Sequence, residues 1–273
     1  MGKINSQTTT NLSFSGTQTG NFEAIIDDVA YTLNIMTYNV QRKKYRPHAE
    51  VIKSSGADVV SIQEVGGQRK FNILKNETGF KGKMCVTLNV VDVYKYGIVL
   101  LWNETKLGKP IAVTNHKIET PKDKTDSKRA YIIAEFNDFC VIATHLSTNA
   151  DENKKMVEAI LKEDVIKNYR KPVYIAGDLN PRPKAGDSPR PDGYETKKAL
   201  VDAGFEMLSN TDKNDPEYYN KHATRPNGSQ PDLILGYNQH PNREIIWRGV
   251  PDGADRTFTI SDHLPYVVKV KYK

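Results

Sequence analysis

The chain alternates short apolar runs with polar or conformationally special residues. Runs rich in β-branched side chains recur at Thr32–Thr37, Asp58–Ile62, Gly97–Trp102, Tyr131–Phe136, Phe139–Ala143, Pro172–Ala176, Asp232–Leu235 and Tyr266–Val270. Gly, Pro, Asn or Asp bound them, and this pattern predicts buried strands. An amphipathic helical pattern appears in His48–Ser54, with apolar residues at Ala49, Val51 and Ile52. It appears again in Glu152–Tyr169, through Met156, Val157, Ile160, Leu161, Val165 and Ile166. A third helix is predicted over Tyr194–Ala203, closed by Gly204. Many strands with few helices predict an α/β fold in which two packed mixed β-sheets are flanked by helices.

No internal repeat or long linker interrupts this pattern. Residues 1–30 read as a flexible or edge-strand leader, since Met1–Asn21 is rich in Ser, Thr, Asn, Gln and Gly. Residues 31–273 read as one domain.

Polar residues gather where the predicted strands end. Asn39 follows Ile35–Tyr38, Gln63 and Glu64 follow Val59–Ile62, and His145 follows Val141–Thr144. Asp178 and Asn180 follow Val173–Gly177, while Asp262 and His263 precede the last strand. Strand ends and the loops beyond them are where layered folds place their sites. Singly, each has an ordinary explanation: Asn39 as a turn residue, Glu64 as a solvated loop carboxylate, His145 as a packed histidine. Their repetition at strand ends points to a working rim. Glu64 suits a hard cation such as Mg²⁺, with Asn39 as a neutral ligand to the metal or its water. Asp178 can accept a proton from an attacking water or orient it, while Asn180 holds that water or a phosphate oxygen, and Pro181 and Pro183 stiffen the loop. Asp232 can orient His263 as a carboxylate orients an imidazole.

Composition adds a partner class. With 38% hydrophobic and 9% aromatic residues in 273, the chain is globular rather than disordered. A formal charge of +6 favours an anionic partner. The two cysteines, Cys85 and Cys140, lie in apolar surroundings and read as buried free thiols. No apolar run reaches membrane-spanning length, and no signal-peptide core is visible at the N-terminus. A secreted protein whose signal peptide had been replaced by Met-Gly would look the same, so the compartment stays open.

The ordered set TYN (37–39), QE (63–64), THLS (144–147), GDLN (177–180), DLIL (232–235) and SDHLP (261–265) resembles the endonuclease/exonuclease/phosphatase superfamily, with its DNase I-like fold. The resemblance runs from about Leu33 to Val270. It implies a four-layer α/β sandwich and Mg²⁺-dependent hydrolysis of a phosphoester, with Mn²⁺ or Ca²⁺ as alternative ions. Carried across residue by residue, it implies that Asn39 and Glu64 hold the metal and that Asp262 sits at the metal or its hydration shell. It implies that His145 contacts or protonates the phosphate, that Asp178 and Asn180 position the nucleophilic water, and that Asp232 orients His263. The acidic partner that relatives give the first histidine is not assigned; Tyr96 stands near its place.

Basic loops follow several motifs: Arg42 to Arg46 after Asn39, Arg182, Lys184 and Arg190 after Asn180, and Lys221 to Arg225 before Asp232. Arg129 stands where relatives often place a phosphate-contacting arginine. Arg46, Arg129, Arg182 and Arg225 are therefore the candidate substrate contacts, and DNA is the expected partner of an expected monomer. SIQEVGG, GDLNPRP and ATRPNGSQPDLIL also resemble the nuclease subunit of cytolethal distending toxins. The alternative is a lipid or inositol phosphoester. Inositol 5-phosphatases usually carry an aromatic-Cys-Asp-Arg motif near the Asp232 strand, and GSQPDLIL has none. Sphingomyelinases usually present an exposed aromatic hairpin, for which Tyr218-Tyr219 is the nearest candidate. A non-enzymatic module would have lost one of the polar positions, and all are present.

Overall fold

The computed structural model describes residues 31–41, 43, 45–90, 94–118, 129–168, 171–180, 194–238 and 242–272. In chain order these form β1 (Tyr31–Asn39), α1 (Tyr45–Ser54), β2 (Val59–Val65), α2 (Gly67–Thr78), β3 (Lys81–Val90), β4 (Tyr94–Trp102), α3 (Glu104–Leu107), β5 (Ala112–Ile118) and β6 (Arg129–Glu135). There follow β7 (Cys140–His145), α4 (Ala150–Leu161), α5 (Asp164–Lys167), β8 (Val173–Asp178), α6 (Tyr194–Asp202), β9 (Glu206–Met207), α7 (Tyr218–Lys221), β10 (Asp232–Tyr237), β11 (Arg243–Gly249) and β12 (Tyr266–Tyr272).

The strands make two six-stranded sheets, ordered β11-β12-β1-β2-β4-β3 and β5-β6-β7-β8-β10-β9. Each is mixed: β1 runs parallel to β2 and β7 parallel to β8, and the other neighbours are antiparallel. Period-two alternation sorts the side chains into layers. Leu33, Ile35, Val59, Ile98 and Leu100 of the first sheet meet Ile132, Val141, Ala143, Tyr174, Ala176 and Ile234 of the second in one inter-sheet core. On the first sheet's outer face, Met36, Tyr38, Val60 and Ile62 pack against Ala49 and Ile52 of α1 and Phe71 and Leu74 of α2. On the second sheet's outer face, Ile142, Ile175, Leu233 and Leu235 pack against Met156, Val157 and Ile160 of α4 and Leu200 of α6. The result is the expected four-layer α/β sandwich. Each fully buried aliphatic side chain contributes roughly 1.5–3 kcal/mol to holding it.

Every predicted strand is present. Those without a predicted counterpart, β11, β3, β5 and β9, are the edges of the two sheets. Helix α2 also lacked a counterpart. The single helix expected over Glu152–Tyr169 is broken: α4 ends at Leu161, and Glu163 adopts extended backbone (φ −63°, ψ 142°) before α5 begins. The Tyr131 hydroxyl donates to the Glu163 carboxylate, so a tertiary contact holds the break. Asn149 caps α4 by accepting from the Asp151 and Glu152 N–H groups at 3.0 and 3.1 Å. Gly204, with φ of 93°, closes α6. Both cysteines are free and buried. No helix among the described residues is long and apolar enough to cross a membrane.

Candidate active site

The inter-sheet core becomes polar at one end. In β1 the inward row runs Leu33, Ile35, Thr37, Asn39, and in β8 it runs Tyr174, Ala176, Asp178. Likewise β7 ends its inward row in His145, and β10 begins its own with Asp232. The same alternation that builds the core therefore aims these groups between the sheets. Register then sets them side by side: His145 lies opposite Asp178 across β7 and β8, and Asp178 opposite Asp232 across β8 and β10. Gly177 allows the close approach, since a Cβ there would stand 2.2 Å from the Thr144 carbonyl oxygen.

Asp178 is the centre of the cluster. Its Oδ2 lies 3.6 Å from His145 Nε2 and 3.8 Å from His263 Nε2, and it accepts from Asn39 Nδ2 at 3.0 Å. Its Oδ1 accepts from the backbone N–H of Asn180 at 3.0 Å. His263 Nδ1 pairs with Asp232 Oδ2 at 2.7 Å, and the same oxygen accepts from the Thr224 hydroxyl at 2.6 Å. Asn39 joins the two sheets through its bond to Asp178, and within its own sheet the same Nδ2 donates to Glu64 Oε1 at 3.3 Å. Glu64, Asn180 and Gln41 hold left-handed backbone, with φ of 58°, 40° and 46°. Such strain in non-glycine residues persists where surrounding contacts over-determine it.

Charge within the cluster is uneven. For His263, burial works against the cation, but Asp232 and then Asp178 outweigh it and raise the pKa to about 9. Burial holds His145 down at about 3, since Asp178 opposes it only in part and Arg129 and His263 reinforce it. Burial alone would raise Asp178; the two imidazoles, then the Asn39 and Asn180 hydrogen bonds, keep its carboxyl below the usual range instead. Burial raises Asp232. At neutral pH the centre thus holds an ionised Asp178 between a neutral and a charged imidazole.

Two sets of groups bear on metal binding. Asp178, Asp232 and His263 offer atoms that all lie within 4.8 Å of one another, but hydrogen bonding already ties His263 Nδ1 to Asp232. The second set suits a divalent cation better. Glu64 and Asp178 each place an oxygen on the same Asn39 amide nitrogen, which concentrates hard anionic donors at the rim.

The structure thus brings together Asn39, Glu64, His145, Asp178, Asn180, Asp232, Asp262 and His263, with some departures in detail. Asn39 Oδ1 accepts from the Gln41 N–H at 3.1 Å, so its amide links Gln41 to two carboxylates. Asn180 Nδ2 donates to the Leu146 carbonyl at 3.0 Å, so Asn180 reaches Asp178 through its backbone. The Asp262 carboxylate is held by Arg225 at 2.8 Å. Arg129 begins β6 and acts electrostatically on His145, whose carboxylate neighbour is Asp178; Tyr96 lies on β4. Arg46, 81% exposed at the start of α1, pairs with Glu77 of α2 at 3.3 Å. Arg182, with Pro181 and Pro183, lies outside the described residues.

Supporting residues were missed. Thr224 holds Asp232. Ser261 donates to the Asn39 carbonyl at 2.7 Å and accepts from the His263 N–H at 3.1 Å. Asn153, buried on α4, donates to the Ser147 and Leu179 carbonyls, each at 2.9 Å, and so ties together the loops after β7 and β8. A polar residue on the apolar face of a helix was the available signal for Asn153.

A carboxylate between two imidazoles at the end of a two-sheet sandwich, with hard anionic donors beside it, suits hydrolysis assisted by a divalent metal. Comparison with known families matches residues 36–263 to the Endonuclease/Exonuclease/phosphatase family. The chain belongs to that family, whose members are metal-dependent phosphoester hydrolases. No curated protein matches the chain with significance. Among solved structures, an endonuclease/exonuclease/phosphatase from Beutenbergia cavernae DSM 12333 is similar at 17% identity, over 88% of this chain and 72% of that one, with a TM-score of 0.67. A mannosyl-6-phosphatase from Bacteroides thetaiotaomicron VPI-5482 aligns at 14% identity over 87% of this chain and 99% of its own, with a TM-score of 0.62. Truncated Caenorhabditis elegans TDP2 aligns at 12% identity over 89% and 98%, with a TM-score of 0.61.

Proposed function

We propose that the protein is a Mg²⁺-dependent endonuclease hydrolysing DNA phosphodiester bonds. The fold does not choose the substrate, since its structural relatives include a mannosyl-6-phosphatase and a 2′,3′-cyclic phosphatase. The observation that carries the reading is cationic. Arg129 at the start of β6 is near enough to help lower the pKa of His145, and Arg225 pairs with Asp262 beside His263, so each histidine has a guanidinium in its electrostatic surroundings. In a chain of net charge +6 this arrangement suits a polyanionic backbone. The local likeness to the toxin nuclease subunit leans the same way.

In this proposal Glu64 and Asn39 would hold the metal, Asn39 also donating to Asp178, and Asp262 would stand at the metal or its hydration shell. The bound ion supplies electrophilic stabilisation of the phosphoryl oxygens. Asp178, ionised and fixed by Asn39 and Asn180, accepts the proton of the attacking water. His263, held as a cation by Asp232, stabilises charge building on the phosphate. His145, held neutral, contacts the phosphate as a hydrogen-bonding imidazole rather than as a standing acid. Arg129 and Arg225 position the phosphate backbone.

A divalent-dependent screen over plasmid DNA, RNA, sphingomyelin, inositol phosphates and sugar phosphates tests this. Plasmid relaxation with Mg²⁺, lost in EDTA and in Asp178→Asn, is expected. Hydrolysis of a lipid, inositol or sugar phosphoester with DNA left intact would overturn the nuclease reading.

A further inference from the structure

The Tyr218-Tyr219 pair has no part in the chemistry above, and the fold separates its members. Tyr218 is 2% exposed and Tyr219 is 65% exposed. Tyr218 anchors α7: its ring packs at 6.3 Å from His222, whose Nδ1 pairs with the Tyr266 hydroxyl of β12 at 2.9 Å. The Val250 N–H donates to the Lys221 carbonyl at 2.7 Å and fixes the end of the same helix. Tyr219 therefore projects from a fastened base and not from a loose loop tip.

The Tyr219 ring rests on Gly228. A Cβ at Gly228 would stand 2.4 Å from Tyr219 Cε1, and the φ of 76° there also favours glycine. Gly228 ends a turn, its N–H donating to the Arg225 carbonyl at 3.0 Å. That turn carries Arg225 to Asp262, while Thr224 holds both Asp232 and, through its carbonyl, the Leu264 N–H at 2.7 Å. A chain of direct contacts thus joins the exposed ring to the catalytic rim.

We infer that Tyr219 is a stacking platform for a nucleobase near the scissile phosphate, an inference that rests on the nuclease reading above. A fixed, exposed aromatic face loses little entropy on stacking, and every base presents a π-face, so such a platform takes nucleic acid without regard to sequence. Lipid insertion fits poorly. Apart from Tyr218, whose buried ring it meets edge-to-face at 5.6 Å, its surroundings in sequence are mostly polar: Asn214, Asp215, Asn220 and the Glu217–Lys221 ion pair.

Steady-state cleavage of a labelled oligodeoxynucleotide in Mg²⁺ is the test, with thermal unfolding to confirm that each variant is folded. Tyr219→Ala is expected to raise KM about 10-fold, the scale of one lost base–aromatic stack, with kcat nearly unchanged. Tyr219→Phe should match the wild type because it keeps the ring. Trp247→Ala, at another exposed aromatic on the β11 edge, should also match it. A strand carrying abasic residues through its centre should erase the difference between wild type and Tyr219→Ala. Equal KM for these two on the normal strand overturns the inference and leaves the nuclease reading standing. A wild type that spares DNA and hydrolyses another phosphoester removes the nuclease reading, and the inference with it.

Discussion

His48 and His263 are both buried, and each engages one oxygen through Nδ1, at 2.8 Å to the Tyr38 hydroxyl and at 2.7 Å to the Asp232 carboxylate. Their electrostatic fates are opposite. Burial drives His48 down to about 4, with the Val40 backbone opposing it only in part. His263 suffers the same burial, yet Asp232 and Asp178 raise it to about 9. A neutral phenol cannot offset the cost of burying a charge, whereas a carboxylate at hydrogen-bond distance can. The comparison teaches that distance and burial alone do not set a histidine's charge; the charge of its partner does. His48 fastens α1 to the outer face of β1, and His263 stands at the polar end of the core.

The largest test of that contrast is activity. His263→Gln should lower kcat for plasmid cleavage by about 10³-fold, within the range for general acid–base and charge-stabilising groups, with far-UV circular dichroism confirming the fold. His48→Gln should stay within about twofold of wild type. Comparable losses in the two variants would remove the distinction between them.

Acid stability reads the contrast from the other side. Below its ordinary pKa of 6.5, His48 takes up a proton in the unfolded chain but resists it in the folded one until about pH 4. Its contribution is therefore complete above about 6.5 and is lost as pH falls through that window, with a full size of about 3 kcal/mol. In urea unfolding, the stability advantage of wild type over His48→Gln should shrink by that amount between pH 7 and pH 4. A constant advantage would show that His48 is not held neutral by the fold.

The smallest effect belongs to the phenol. Tyr38→Phe removes the hydrogen bond to His48 and should cost about 1 kcal/mol of stability with unchanged cleavage. A drop in turnover as large as that of His263→Gln would place His48 and Tyr38 in the chemistry after all.

How much of the fold was legible follows from where each strand lies. Central strands such as β7 and β8 are buried along their whole length and read as continuous apolar runs. Edge strands are half-exposed, as in β5 (AVTNHKI), and their mixed sequences resemble loops. Helix α2 offers only Phe71 and Leu74 as buried residues, too few for a visible periodicity. Among the site residues, the strand-end motifs do converge. The surface ion pair of Arg46 with Glu77 was not legible, because it joins two helices that the local pattern does not bring together.

The sequence by itself determined which chemical groups stand at the polar ends of the inward rows: Asn39, His145, Asp178 and Asp232 keep the phase of the apolar residues beside them in their strands, and local alternation is enough to specify that. Tertiary structure decided what those groups become. Parallel pairing of β7 with β8 sets His145 against Asp178, antiparallel pairing of β8 with β10 adds Asp232, and the turn after Thr224 delivers Arg225 to Asp262. Charge states depend on burial and on distances between residues far apart in the chain. No local pattern encodes those, so the opposite ionisation of His145 and His263 belongs to the folded molecule alone.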